Sequence, residues 1–216
     1  MEELTIEKLI AAAKAYTAIE NSHSEPELYG VDNGKTIGTY LENKFTIYLN
    51  EAFEFEEGNA ASGIDIPGLG VDIKTTSIAQ PQSSCPFRSA RQKVYGLGYH
   101  LLVFVYSKSD DHEMSTAKLN IQHVIFVEKE RTADFQMTSG LLQIIANDGN
   151  EEDIFAFLMD KNLPVDEVAA NNLAKEILVS PPAQGYLTIS NALQWRLQYG
   201  RAISKAGLVN GLQKVF

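Results

Sequence analysis

Residues 63–75 read Gly-Ile-Asp-Ile-Pro-Gly-Leu-Gly-Val-Asp-Ile-Lys-Thr, and this run limits what the chain can fold into more than any other. Two short apolar-rich segments, 62–66 and 70–75, flank Pro67-Gly68, the punctuation of a hairpin or bend. Asp72 and Lys74 are two apart on the second predicted strand, so their side chains share a face. Asp65 lies seven positions before Asp72, across the bend, and a chain reversal there sets the two carboxylates side by side. Paired carboxylates are hard oxygen ligands suited to Mg²⁺, which keeps several waters and accepts phosphate oxygens from a substrate. The backbone carbonyl of Ile73 can add a further ligand. Lys74 beside the ion can orient or help deprotonate an attacking water and offset charge on a phosphorane-like transition state. Phosphodiester hydrolysis needs this combination. The plainer alternative is a surface hairpin carrying an incidental Asp-x-Lys pair. A calcium loop does not fit, because the D-x-D-x-D-G spacing is absent.

Charge bears on those two readings, although one acid-free stretch is also largely core, since residues 95–106 are apolar. The net charge of −10 argues against a nucleic-acid partner, since phosphate contacts need Lys and Arg. The distribution reverses the argument. All 28 acidic residues lie in 1–72 and 110–176, 14 in each. Residues 73–109 and 177–216 have none, yet carry nine of the 18 basic residues. Such acid-free stretches are the expected footprint of a polyanion on two surfaces.

Helical spacing of apolar residues predicts helices over 4–20 and 36–50, then 87–96, 151–160, 166–178 and 190–206. Strands are expected at 52–55, 62–66, 70–75, 100–106, 118–127 and 185–189, with a polar loop over 77–86. This mixture implies an α/β or α+β fold with a central mixed β-sheet flanked by helices. The 216 residues fit one domain, with a core over about 35–127 and a helical C-terminal part over about 150–216 packing on it or touching DNA. No run nears the ~18 apolar residues of a membrane span. The N-terminus lacks the basic and apolar regions of a signal peptide, and Cys85 is the single cysteine, so a reducing cytoplasm is expected.

The pattern Asp65–x6–Asp72–x–Lys74 on consecutive short strands, with a Glu on an upstream helix, resembles the PD-(D/E)XK nucleases. The short gap and the phrase Gly-Leu-Gly-Val-Asp-Ile-Lys-Thr are most similar to the MutH-like branch, which includes a mismatch-repair nicking enzyme and several type II restriction endonucleases. In that branch a helical Glu precedes the first Asp, and Gly38 followed by Glu42 matches it. The resemblance covers residues 35–106. It implies a restriction-endonuclease-like core and Mg²⁺ held by Asp65, Asp72, the Ile73 carbonyl and Glu42, with Lys74 positioning the nucleophile. It further implies a type II restriction enzyme acting on double-stranded DNA beside a cognate DNA methyltransferase of the same system. A palindromic site matches a two-fold protein, so a homodimer is expected, although some relatives of this branch act as monomers. Ile64 stands where the motif's name has Pro, and Glu51, Glu54, Glu56 and Glu57 compete with Glu42 for the upstream role.

The stretch after Lys74 is rich in amide, hydroxyl and guanidinium groups. Arg suits the O6/N7 edge of guanine and Gln suits adenine, whereas Ser and Thr more often hold phosphates. Thr75, Thr76, Gln80, Gln82, Ser83, Ser84, Arg88, Arg91, Gln92 and Lys93 are therefore candidate DNA contacts, as are Arg196 and Arg201 of the tail. Set against this is an ordinary polar loop followed by a solvated helix face. In the predicted tail helix, Trp195, Leu193, Leu197 and Ala202 read as core. Three further functions compete: a repair nuclease of the same superfamily, a non-catalytic DNA-binding regulator using residues 153–178 as a helix-turn-helix, and a metal-binding enzyme of unrelated chemistry. The four His residues show no metal-ligand spacing, and no His is placed by a local motif to activate Cys85.

Overall fold

The computed structural model describes residues 2–58, 63–85, 88–190 and 195–216. In chain order the elements are β1 (Glu2–Glu3), α1 (Ile6–Ser22), α2 (Gly34–Ala52), β2 (Phe53–Glu54), β3 (Val71–Ser77), β4 (Gln82–Cys85) and α3 (Gln92–Tyr95). They continue with β5 (His100–Asp111), β6 (Thr116–Val127), α4 (Phe135–Ala146), α5 (Glu151–Asp160) and α6 (Glu167–Val179). Last come β7 (Thr188–Ile189), β8 (Trp195–Gln198), α7 (Gly200–Lys205) and β9 (Leu212–Lys214). The central sheet runs β3-β5-β6-β9, with β3 parallel to β5 and the other pairs antiparallel. A mixed sheet flanked by helices is the architecture expected from the sequence.

Strand β5 organises the core by simple alternation. Leu102, Phe104 and Tyr106 face α1 and α2, where Leu9, Leu41, Phe45 and Leu49 meet them. Leu101, Val103 and Val105 face the opposite way, onto Cys85, Ile189, Leu197 and Tyr199. Burying each of these side chains stabilises the fold by roughly 1.5–3 kcal/mol, so β5 is the sheet's anchor. The second face is covered by a small sheet in the order β4-β8-β7. A third cluster joins α3 to α4, α5 and α6 through Val94, Leu141, Leu158 and Ile177.

Helix starts follow their caps. The Asn33 side chain accepts from the amides of Lys35 and Thr36 at the head of α2. Asn150 and Asp153 form a capping box on α5, and Asp166 caps α6. Asp134 caps α4 through Met137 N–H, and its other oxygen accepts from Ile189 N–H at 2.8 Å. Helix α4 is absent from the sequence expectations, although Asp134 ahead of Phe135, Leu141 and Ile145 is a start signal followed by helical spacing.

Several expected elements need correction. The predicted tail helix over 190–206 is instead β8 followed by the short α7, with residues 191–194 outside the described set. Leu197 and Ala202 are core, as their pattern suggested. The C-terminal part is therefore only half helical: after α6 it supplies β7, β8 and β9. The polar loop over 77–86 contains β4, because Ser83, Ser84 and Cys85 pair with Leu197, Arg196 and Trp195. The segment before Pro67 is not a strand; Ile66 makes one isolated bridge to Val71. The helix predicted over 87–96 shrinks to α3, which ends at Gly96 (φ +90°). Phe87 lies outside the described residues.

Candidate active site

The bend between Asp65 and Asp72 is built locally. Pro67–Leu69 form a 3₁₀ turn that closes at Gly70, whose left-handed backbone (φ +60°) favours glycine. Ile66 and Val71 exchange backbone hydrogen bonds of 2.9 and 3.2 Å across it. The reversal lays Asp65 along the outer edge of β3, where its Oδ2 accepts from Ile73 N–H at 2.7 Å. A strand residue's N–H and C=O point to the same edge, so the Ile73 carbonyl faces the Asp65 side as well.

Asp72, buried at 3% exposure, pairs with Lys74 Nζ at 2.8 Å. Glu42 reaches the same place from α2, which packs along β3 beside Thr75. The structure thus brings Glu42, Asp65, Asp72 and Lys74 together. Burial pushes the Glu42 carboxyl up to about 7; Lys74 opposes the rise and Asp65 adds to it. Burial likewise lifts Asp72 to about 7, against the pull of Lys74 and with a contribution from neighbouring Asp65. Burial depresses Lys74, but Asp72, Asp65 and Glu42 outweigh it and raise the ammonium above its ordinary value. Three carboxylates around one cation form a site with surplus negative charge.

That surplus bears on whether a divalent cation fits. Among the described residues no three His, Cys, Asp or Glu side chains form a finished cation cage. Mg²⁺ does not require one: it binds through one or two carboxylates and completes its shell with water and phosphate oxygen. Adjacent Asp65 and Asp72, beside an outward carbonyl, supply that donor set. The Thr75 hydroxyl is buried without a hydrogen-bond partner, close enough to Glu42 to favour its ionised form. A hydrated ion or a substrate oxygen could satisfy it. The donors fit the ion.

Two cavities meet at Lys74. One, about 710 Å³, runs past Glu42, Thr75 and Arg196 to Lys35 at the head of α2. The other, about 300 Å³, is lined by Asp65, Asp72, Arg88 and Tyr99. Lys74 and Ser84 line both. Gly63, at φ +62°, leaves room for Arg88; a Cβ there would come within 2.8 Å of Nη2.

The candidate DNA contacts divide into two groups. Thr75, Thr76, Gln80, Gln82, Ser83, Ser84 and Arg196 line the larger groove, and Arg88 lines the smaller cavity. Thr76 also ties β3 to β4, its hydroxyl accepting from Gln82 N–H at 2.9 Å. Arg91, Gln92, Lys93 and Arg201 line neither. Arg91 pairs with Glu176 of α6, and Gln92 Nε2 donates to Leu97 O at 3.2 Å. Lys93 is buried near Asp134. Arg201 lies over the Phe135 ring at 3.7 Å. The turn carrying Arg91, Gln92 and Lys93 belongs to the α4–α6 layer, with Ala90 and Val94 in its core. Sequence reasoning passed over Lys35 and Thr39, which line the groove from α2. The signal was Asn33-Gly34-Lys35, a helix start carrying a cation two turns before Glu42. The acidic pair α5–α6 packs against itself and α4, on helix faces rich in caps. Among the described residues no helix is long and apolar enough to cross a membrane.

Comparison with known proteins matches this chain over nearly its whole length. A family model described as "Type II restriction enzyme NspV" matches residues 3–214. A curated protein of that description from Nostoc sp. (strain ATCC 29411 / PCC 7524) is 61% identical over 216 residues, spanning 100% of this chain and 98% of its own length. No solved structure gives a significant match.

Proposed function

This chain belongs to the type II restriction enzyme NspV family, and from that membership we propose that Glu42, Asp65, Asp72 and Lys74 are the catalytic centre of a Mg²⁺-dependent endonuclease of PD-(D/E)XK type, in its MutH-like branch. The protein is a site-specific restriction endonuclease. Its substrate is double-stranded DNA, cut at a short sequence by phosphodiester hydrolysis. The carrying observation is the convergence of three carboxylates and one lysine at the edge of β3, where two cavities meet and the larger has walls drawn mostly from the acid-free stretches.

Asp65 and Asp72 would hold the ion, with the Ile73 carbonyl and Glu42 as further ligands. Bound there, Mg²⁺ supplies Lewis-acid stabilisation of the phosphate and lowers the pKa of a coordinated water. Lys74 does the rest through position and charge. Its ammonium, held 2.8 Å from Asp72, would orient the attacking water and offset charge on the transition state. Gln82, Ser84 and Arg196 extend the groove beyond the reacting bond, and Lys35 lies where a backbone phosphate would pass. The whole chain acts as one nuclease domain, as a homodimer on a palindromic site. It works in the cytoplasm, beside a DNA methyltransferase that protects the host's own copies of that site.

Incubating the purified protein with unmethylated phage DNA and Mg²⁺ tests this reading. Discrete fragments that disappear with EDTA are expected. A random smear, or intact DNA across diverse sequences, would count against it.

A further inference from the structure

The two acid-free segments meet in space. Strand β4 comes from the first and β8 from the second, paired antiparallel with Gln82 opposite Gln198 and Ser84 opposite Arg196. Directly opposed residues share a face, and side chains alternate along each strand. Gln82, Ser84, Arg196 and Gln198 therefore form one face, and Ser83, Cys85 and Leu197 the other. The second face is committed to the core: Cys85 and Leu197 are buried with Val103 and Ile189, and Ser83 bonds the Tyr199 hydroxyl. The first face is open. Ser84, Arg196 and Gln198 are exposed, Gln82 is half-buried, and Thr188 of β7 extends the row beside Gln198.

The composition of this open face is selective. Solubility alone would be served by charges of either sign, yet no acid appears there. Arg196 makes no ion pair with any carboxylate among the described residues. Amide and guanidinium groups carry paired polar edges, which match adenine N6/N7 and guanine O6/N7. A two-stranded β-ribbon fits the major groove, and β4–β8 is the longer pair of this three-stranded sheet, to which β7 adds only Thr188 and Ile189. Side chains two apart on a strand stand about 6.6 Å from each other, close to two base-pair steps of about 3.4 Å each, so Arg196 and Gln198 reach different base pairs. The face is also continuous with the catalytic groove, which Gln82, Ser84 and Arg196 line together with Lys74.

We propose that the open face of β4–β8 is the sequence-reading surface. It enters the major groove beside the cleaved bond, Arg196 contacting a guanine and the amides of Gln82 and Gln198 contacting adenines. The assignment rests on the nuclease reading and adds to it the residues that choose the site.

The test is cleavage of a randomised duplex library with Mg²⁺, with sequencing of the cut ends. Wild type is compared with Arg196→Ala, Arg196→Lys and Gln198→Ala. Wild type should return one site. Both Arg196 variants should cut it about 10–100-fold more slowly and accept other base pairs at one G·C position of each half-site. Gln198→Ala should relax an A·T position instead. The Arg196→Lys change keeps the charge and removes the two-pronged donor, so it separates base reading from phosphate binding. Wild-type rate and profile in Arg196→Lys, or slowing by both Arg196 variants with an unchanged profile, would overturn this assignment and leave the nuclease reading standing. No cleavage by the wild type would overturn both.

Discussion

The groove along β3 and the α4–α6 layer handle charge in opposite ways. In the helical layer five of the nine acids between Asp134 and Val179 have a local structural use. Asp134, Asp153 and Asp166 cap helices, while Glu176 and Glu151 pair with Arg91 and Lys175. In the groove, Glu42 and Asp72 are lifted to about 7 because burial and a crowded neighbour oppose their charge. Charge that is satisfied locally serves the fold; charge held against its own solvation awaits another partner. The contrast assigns chemistry to the groove and structure to the helices, and substitutions in each region can break that assignment.

The largest expected effect is on Lys74. Lys74→Ala should lower cleavage by about a thousandfold or more while leaving the protein folded, since electrostatic stabilisation of a transition state carries that order of magnitude. Single-turnover assays with far-UV circular dichroism as a fold control would check it, and a variant that cuts at the wild-type rate would erase the contrast. In the helical layer, Asp134→Ala loses two hydrogen bonds to a buried carboxylate, from Met137 and Ile189. Thermal unfolding should report a loss of about 2–3 kcal/mol, with the per-molecule cleavage rate intact below the melting range.

A pH series sharpens the comparison further. The folded-state pKa of Glu42 lies above its unfolded value, so its contribution to stability is fully present below about 4.5 and is lost as pH rises through about 7. Without divalent cations, Glu42→Gln should therefore match the wild type near pH 4.5 and exceed it by about 1–2 kcal/mol at pH 8. Equal stabilities across that window would mean that the groove does not strain its carboxylates. The smallest effect belongs to the exposed Lys175–Glu151 pair, 3.6 Å apart. Removing it should change stability by no more than about 0.5 kcal/mol and leave cleavage unaltered.

The same contrast explains what could be read from the sequence. The Asp65, Asp72 and Lys74 grouping was legible because a bend and a strand repeat are local patterns; Pro67, Gly68 and Gly70 announce the reversal that the backbone makes. Helices α1, α2, α5 and α6 were legible from the spacing of their apolar residues. Strand β8 was not, since Trp195, Leu197 and Tyr199 alternate while Leu193, Leu197 and Ala202 fit a helix. Pairing with β4, more than a hundred residues earlier in the chain, decided between them. That long-range pairing also sets Arg196 beside Ser84. Arg91, Gln92 and Lys93 looked like groove residues because they follow β4 closely, but the turn into α3 carries them to the helical layer. Proximity in sequence failed there for the reason that charge partition succeeded: the first is local, and the second survives folding.

The central claim is that the Asp72 carboxylate belongs to a cation site that cuts DNA. The direct measurement is single-turnover cleavage of a duplex containing the enzyme's site, across a Mg²⁺ titration, for wild type and Asp72→Asn, with binding to the same duplex followed in Ca²⁺. The account expects the wild type to saturate with Mg²⁺, and Asp72→Asn to bind the duplex yet cut at least about a hundredfold more slowly at every concentration. An Asp72→Asn enzyme that cuts at the wild-type rate with the same Mg²⁺ dependence would contradict it.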